Sequence, residues 1–190
     1  MTTFYICRHG ETENNKNKRL SGWIDTPLTE EGVNNAISSA SKLKGIQLDA
    51  VISSDLGRAF VTAYIIVKRL DLGLTILRNK KLREMNYGDL ANKPISLYPS
   101  LTPIQNATYT PPNGESLNDM QLRVMNEIAK ISDEHRGKTI LIVAHDGTIN
   151  TIRASFESED MGNADSIHNS HDSVFKFTYS DKVKSYQLFA

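Results

Sequence analysis

The residues best able to gather an anion are spread over three parts of the chain. The first is Arg8-His9-Gly10-Glu11-Thr12, which directly follows an apolar run from Thr3 to Cys7. Arginine offers planar, forked donors and glycine lets backbone approach a ligand, so a strand that ends in this way suits a phosphate. Asn15 lies a few residues further on and can add a neutral donor to a phosphoryl oxygen. Arg58 falls in the first turns of an expected helix, from which its guanidinium can return to the sheet edge that carries Arg8. His145-Asp146-Gly147 follows an unbroken apolar run and begins another helix, where free backbone N–H groups favour an anion. Taken singly, each has an ordinary reading too: a surface Arg-His pair in a turn, a polar turn residue, a solvated helical arginine.

Apolar and amphipathic runs alternate along the chain, the rhythm of an α/β domain over 1–190. Thr3 to Cys7 is strand-like, and Leu28 to Leu43 has a helical pattern that Gly45 can stop. Ala50 to Ile52 is a short buried-type strand. Ser54 and Asp55 then stand where they can cap a helix through about Asp71, closed by Gly73. Leu74 to Leu77 supplies a third strand. Ser116 with Asp119 resembles a capping box for a helix running toward Glu134, and Thr139 to Ala144 reads as a central parallel strand. Gly147 to Phe156 is helix-like, and Ser173 to Tyr179 with Lys184 to Phe189 reads as a hairpin around Ser180-Asp181. Between these, 86–113 holds Pro94, Pro99, Pro103, Pro111 and Pro112 with little periodicity. It is expected as an insertion on the substrate side, where it forms either a lid or an irregular connection.

Six blocks in order carry a resemblance to the histidine phosphatase superfamily, the phosphoglycerate-mutase-like proteins. They are Arg8-His9-Gly10-Glu11-Thr12 with Asn15, Gly22 to Gly32, Ser53-Ser54-Asp55 with Arg58, Leu82-Arg83-Glu84, Gly114-Glu115-Ser116, and Val143-Ala144-His145. The resemblance implies a doubly wound, mostly parallel sheet and a covalent phosphohistidine mechanism without metal or cofactor. By position, His9 would be the nucleophile. Arg8, Asn15, Arg58 and His145 would hold the phosphoryl oxygens, and Glu84 would be the proton donor. Physical chemistry agrees: phosphoryl transfer asks mainly for positioning and positive electrostatics, and clustered cations keep an imidazole neutral and nucleophilic. Glu84 must hold a proton to help an alcohol leave. Burial beside Met85 raises its pKa and nearby arginines lower it, a balance open at this point.

Ser21, Gly22, Trp23 and Tyr87 either line the pocket or pack. Cys7 lies inside a strand and reads as a small buried side chain rather than a reactive thiol. His168 and His171 could share a metal if helical, but they precede a strand, and no metal site is expected. Two positions depart from the family pattern. Leu90-Ala91-Asn92 replaces an aromatic, an acid and a glycine near the substrate entrance, and Asp146 stands where glycine is frequent. A carboxylate there should point to solvent or cap the following helix.

The reading is a metal-independent phosphomonoesterase acting on a small phosphate ester. Alternatives are a phosphoglycerate mutase, a catalytically weak phosphate-binding or scaffold protein, and a metal-dependent His-Asp phosphohydrolase. The 22 basic and 22 acidic side chains cancel, so neither a nucleic-acid partner nor a polybasic membrane anchor is expected. The single cysteine excludes an intramolecular disulfide and fits a reduced compartment, here expected to be the cytoplasm. No run approaches transmembrane length. Oligomeric state is not legible.

Overall fold

The computed structural model describes residues 1–157, 161–164, 168–180 and 184–189. In chain order the elements are β1 (Thr2–Arg8), α1 (Glu13–Lys16), α2 (Glu30–Lys42), β2 (Ala50–Ser54), α3 (Gly57–Arg69) and β3 (Ile76–Asn79). There follow α4 (Pro103–Thr108), α5 (Leu117–Glu134), β4 (Thr139–Ala144), α6 (Asp146–Glu157), α7 (Met161–Ala164), β5 (Val174–Tyr179) and β6 (Lys184–Leu188). The six strands form one sheet in the order β3-β2-β4-β1-β5-β6. Strands β1 to β4 run parallel, while β5 and β6 add an antiparallel flank. This is the doubly wound, mostly parallel α/β sheet that the resemblance implied.

The sheet is covered on both faces, so its inner strands are apolar on both sides rather than alternating. Alternate residues of β1 still serve different layers. Phe4 and Ile6 join Ile140, Ile142 and the α5 residues Met120, Val124 and Ile128. Tyr5 and Cys7 join Leu141, Val143 and residues of α2 and α3 such as Ala40, Ala63 and Ile66. Helix α5 buries Leu117, Met120, Val124, Ile128 and Ile131, a three-and-four spacing that lays one stripe on the sheet. Its expected capping box is present: the Ser116 hydroxyl accepts the Asp119 N–H at 3.1 Å, and the Asp119 carboxylate accepts the Ser116 N–H at 3.1 Å.

Three local expectations need correction. Neither Ser54 nor Asp55 caps α3. Asp55 is held by the Arg83 fork at 2.7 and 2.6 Å, and the N–H groups of Gly57 and Arg58 are met instead by the Asp25 carboxylate from a distant loop. The third strand begins at Ile76 rather than Leu74, because pairing with Val51–Ser54 sets its register. The segment 86–113 is also more ordered than its prolines suggest. It contains two 3-10 turns and α4, whose Pro103 sits at the start of the helix behind a Thr102–Gln105 capping box. It is tied to the distant loop between α1 and α2 through Leu20 N–H to Lys93 O (2.9 Å) and Asn92 N–H to Leu20 O (2.7 Å). The β5–β6 pairing is as expected, although residue 181 of its turn lies outside the described residues. Among the described residues no helix is long and apolar enough to cross a membrane.

The loop after β1 is fixed by a backbone-to-backbone contact. A Cβ on Gly32 would collide with the Glu11 carbonyl, and one on Gly10 would collide with the Gly32 carbonyl. The first turn of α2 therefore rests directly on the backbone beside His9. Helix propensity alone would make Gly32→Ala about 1 kcal/mol more stable. The collision reverses the sign, and we expect a net loss of about 1–2 kcal/mol in urea unfolding. A stabilised variant would show that the contact does not constrain the loop.

Candidate active site

Strands β1 and β4 lie side by side with Arg8 opposite Ala144. The residues that follow, His9 and His145, thus leave the sheet at one level, and the His9 N–H donates to the Ala144 carbonyl at 2.9 Å. Their rings stand 5.1 Å apart at 63°. Arg58 reaches the same spot from the start of α3 and is 2% exposed. Its Nε–H donates to His9 Nε2 at 3.3 Å, and its terminal nitrogens donate to Gly22 O (2.7 Å), Ile24 O (3.0 Å) and Asp25 Oδ1 (3.4 Å). Arg8 stands beside them, its guanidinium donating to the Asn169 carbonyl and lying 3.4 Å from Asp146 Oδ2.

The hydrogen bonds assign the state of His9. Its Nδ1 is 2.8 Å from the Gly10 carbonyl, which can only accept, so Nδ1 carries the proton and Nε2 keeps its lone pair. Burial first, then Arg58 and Arg8, hold the His9 pKa well below 6.5. His145 is 0% exposed and its pKa is likewise held well below 6.5 by burial, Arg58 and His9. Neither of its ring nitrogens has a hydrogen-bond partner among the described residues. A buried imidazole without partners is costly, and this one stands beside two guanidinium groups, Arg58 and Arg8.

Glu84 comes from the loop after β3 and is half-buried. Its carboxylate accepts the Met85 N–H at 2.8 Å and the Gly147 N–H at 3.2 Å. A Cβ at residue 147 would collide with Glu84 Oε1, so glycine there leaves room for the acid. The balance left open by sequence falls toward a raised pKa: burial leads and Asp146 adds to it, against the two N–H donors and Arg58. Pairing of Glu84 with Arg83 is not observed, since Arg83 is taken by Asp55. Asp146 does not point to solvent. It accepts from the Asn169 N–H at 3.1 Å and the Asn169 amide at 2.7 Å while bracing Arg8.

The remaining expected residues take mixed parts. Asn15 Oδ1 accepts from the Thr12 N–H and hydroxyl, so the group it can turn to a ligand is its amide NH2. Gly22, with φ +52°, presents its carbonyl to Arg58, and the half-buried Ser21 lies beside it. The Trp23 indole N–H donates to the Glu84 carbonyl at 2.8 Å beneath the Arg83 guanidinium. Tyr87 lines a cavity of about 230 Å³ next to Glu84. His168 and His171 do not converge on one point: His168 faces Asp146, and His171 lies 2.9 Å from the His9 carbonyl with its ring 5.7 Å from that of His9.

Sequence reasoning missed several supports. Thr62 accepts the Gly10 N–H at 3.1 Å and donates to the Arg58 carbonyl at 2.8 Å, tying the loop that carries His9 to α3. Arg123 donates to the carbonyls of Lys81, Arg83 and Glu84 and is itself held by Glu115 at 2.6 Å. Asp25 was visible only as a loop residue, and His171 only as half of an i, i+3 pair.

The family model described as the histidine phosphatase superfamily (branch 1) matches residues 4–190. A curated relative, "Probable phosphoglycerate mutase GpmB" of Yersinia pestis (strain Pestoides F), is 36% identical over 155 residues, covering 76% of this chain and 70% of its own. The solved structure of Bacillus stearothermophilus YhfR superposes with a TM-score of 0.88 at 31% identity, covering 99% of this chain and 96% of the other. A mycobacterial glucosyl-3-phosphoglycerate phosphatase in complex with VO3 gives 0.84 at 26% identity, covering 98% and 96%.

The lowered imidazole pKa values set a pH dependence of stability. Below about pH 6.5 the unfolded chain takes up protons that folded His9 and His145 refuse. Folding stability should therefore fall with pH by up to about 1.4 kcal/mol per unit for each histidine. Glu84 has the opposite sign: its raised pKa stabilises the fold at low pH, a contribution lost as pH rises through the folded value. In urea unfolding, His145→Gln should flatten the acid-side fall, and Glu84→Gln should be at least as stable as the parent at pH 8. A parent curve independent of pH below 6.5 would contradict the buried neutral pair.

Proposed function

Because the chain belongs to the histidine phosphatase superfamily (branch 1), we propose that this enzyme hydrolyses small phosphomonoesters through a phosphohistidine at His9, without a metal or cofactor. The observation that carries the reading is the buried His9–Arg58–His145 cluster, with His9 Nε2 unprotonated and both His145 nitrogens unpaired among the described residues.

Arg8, Arg58 and the His145 ring surround the phosphoryl oxygens, with the Asn15 amide adding a neutral donor. His9 Nε2 attacks phosphorus, the N–P bond forms, and the P–O bond to the alcohol breaks. Glu84 gives its proton to the departing oxygen, which its raised pKa favours. Glu84 then takes a proton from water as the water oxygen attacks phosphorus. The N–P bond breaks, and neutral His9 and inorganic phosphate are released. A cation cluster that disfavours imidazolium throughout keeps the nucleophile ready for each turnover. We read 86–113 as the substrate-side cover of a single domain spanning 1–190. With one buried cysteine, a reducing cytoplasmic setting fits this chemistry.

The name of the 36% identical relative favours a second reading, phosphoglycerate mutase. A mutase must pass the phosphoryl group back to an alcohol rather than to water.

Phosphate release from a panel of monoesters in excess chelator tests the proposal. The parent should release phosphate and His9→Ala should not. Brief quenching should trap an acid-labile phosphoryl adduct on His9 by mass spectrometry. Release unchanged in His9→Ala would overturn the mechanism, and isomerised phosphoglycerate without free phosphate would select the mutase. Glu84→Gln should lower kcat for alkyl esters by about 10²–10⁴. Esters whose alcohols leave without protonation should lose much less, and an equal loss for both would remove Glu84 from the role of acid.

A further inference from the structure

The cavity that opens from Glu84 is lined by Leu20, Tyr87, Ile95 and Tyr98, with Asp146, Gly147 and His168 completing it. This is where the alcohol half of an ester lies when its bridging oxygen meets Glu84. Among the described lining residues there is no lysine or arginine. Of the two acids in the wall, Glu84 holds its proton for the leaving oxygen and Asp146 presents a carboxylate, and the rim imidazole His168 is turned to Asp146 at 3.4 Å. Arg8, which Asp146 braces, is engaged by that carboxylate and by the Asn169 carbonyl.

The covering segment repeats the pattern. From 86 to 113 the one cation is Lys93, whose side chain is exposed and does not line the cavity, and no lysine or arginine occurs between Arg153 and Lys176. In place of charge the segment carries an aromatic ladder. Tyr87 meets Tyr98 edge-on at 5.8 Å, and Tyr98 meets Tyr109 edge-on at 5.7 Å, which fixes the ring of Tyr98 as a wall. Ile95, on the same lining, is 53% exposed and presents an apolar face.

We infer that the preferred substrate is a phosphomonoester whose alcohol is uncharged and carries an apolar body about the size of one aromatic ring, with Tyr98 and Ile95 as specificity residues. This rests on the phosphomonoesterase reading of the same site. An alcohol bearing a carboxylate or a second phosphate would meet the Asp146 carboxylate and, among the described lining residues, no lysine or arginine to receive it.

The test compares 2-phenylethyl phosphate, glycerol 2-phosphate and 3-phosphoglycerate, all alkyl esters, so that intrinsic leaving-group differences are small. The parent should show kcat/KM at least tenfold higher for the phenylethyl ester than for 3-phosphoglycerate. Tyr98→Ala should lower the phenylethyl-to-glycerol ratio about tenfold, mainly through KM, and Ile95→Arg should shift preference toward 3-phosphoglycerate. Equal or better use of 3-phosphoglycerate by the parent, or ratios unmoved in both variants, would overturn the inference. Calorimetry with non-hydrolysable 2-phenylethylphosphonate against 3-phosphoglycerate separates the two levels. If no ester is hydrolysed but the phosphonate binds at least tenfold tighter, the activity reading fails and the pocket preference stands. Equal affinities would sink the preference even where phosphate is released.

Discussion

A guanidinium taken almost wholly out of water dictates much of what surrounds it. Arg58 cannot shed its charge, so folding must supply acceptors where solvent has been removed. The carbonyls of Gly22 and Ile24 and the Asp25 carboxylate do so, which requires the chain between β1 and α2 to turn back over α3. The same Asp25 carboxylate satisfies the first N–H groups of α3, so the helix that carries Arg58 is capped by the loop that neutralises it. A further donor, Nε–H, finds the lone pair of His9. A neutral His9 is in this sense a condition of burying Arg58, since an imidazolium there would leave two cations facing each other.

The site is correspondingly expensive to hold open. His145 is buried just past the end of β4 with two ring nitrogens unpaired among the described residues, and Glu84 is held where ionisation is disfavoured. These are features a protein selected for stability alone would discard. They are compensated by an ordinary core: apolar strands in the middle of the sheet and helices capped by Thr29, Thr102 and Ser116.

What could be read from the sequence was what depends on neighbours in the sequence. The strand before Arg8, the run before His145 and the Ser116–Asp119 box follow from local pattern, and the family resemblance assembled Arg8, His9, Arg58 and His145 in advance. Distant partnerships were out of reach. Asp55 looks like a helix cap until Arg83, 28 residues on, takes its carboxylate. Asp146 looks like a solvent-facing acid until Asn169 and Arg8 arrive on either side. Thr62 and His171 serve the His9 loop from elements whose adjacency only the closed sheet creates. The tyrosine ladder likewise joins residues scattered through a proline-rich stretch that shows no period.

The position of β1 has a consequence for how the molecule comes into being. The first strand made is also an inner one, lying between β4 and β5, both drawn from the last third of the chain. During synthesis Thr2–Arg8 emerges early, with Phe4, Tyr5, Ile6 and Cys7 in a row and both hydrogen-bonding edges bare, and must wait for 139–144 and 174–179. His9 and His145 come together only in that final zipping. Until then the nascent chain carries a sticky ribbon well ahead of its partners, so shielding by a chaperone would matter most in the interval before 139–144 and 174–179 emerge.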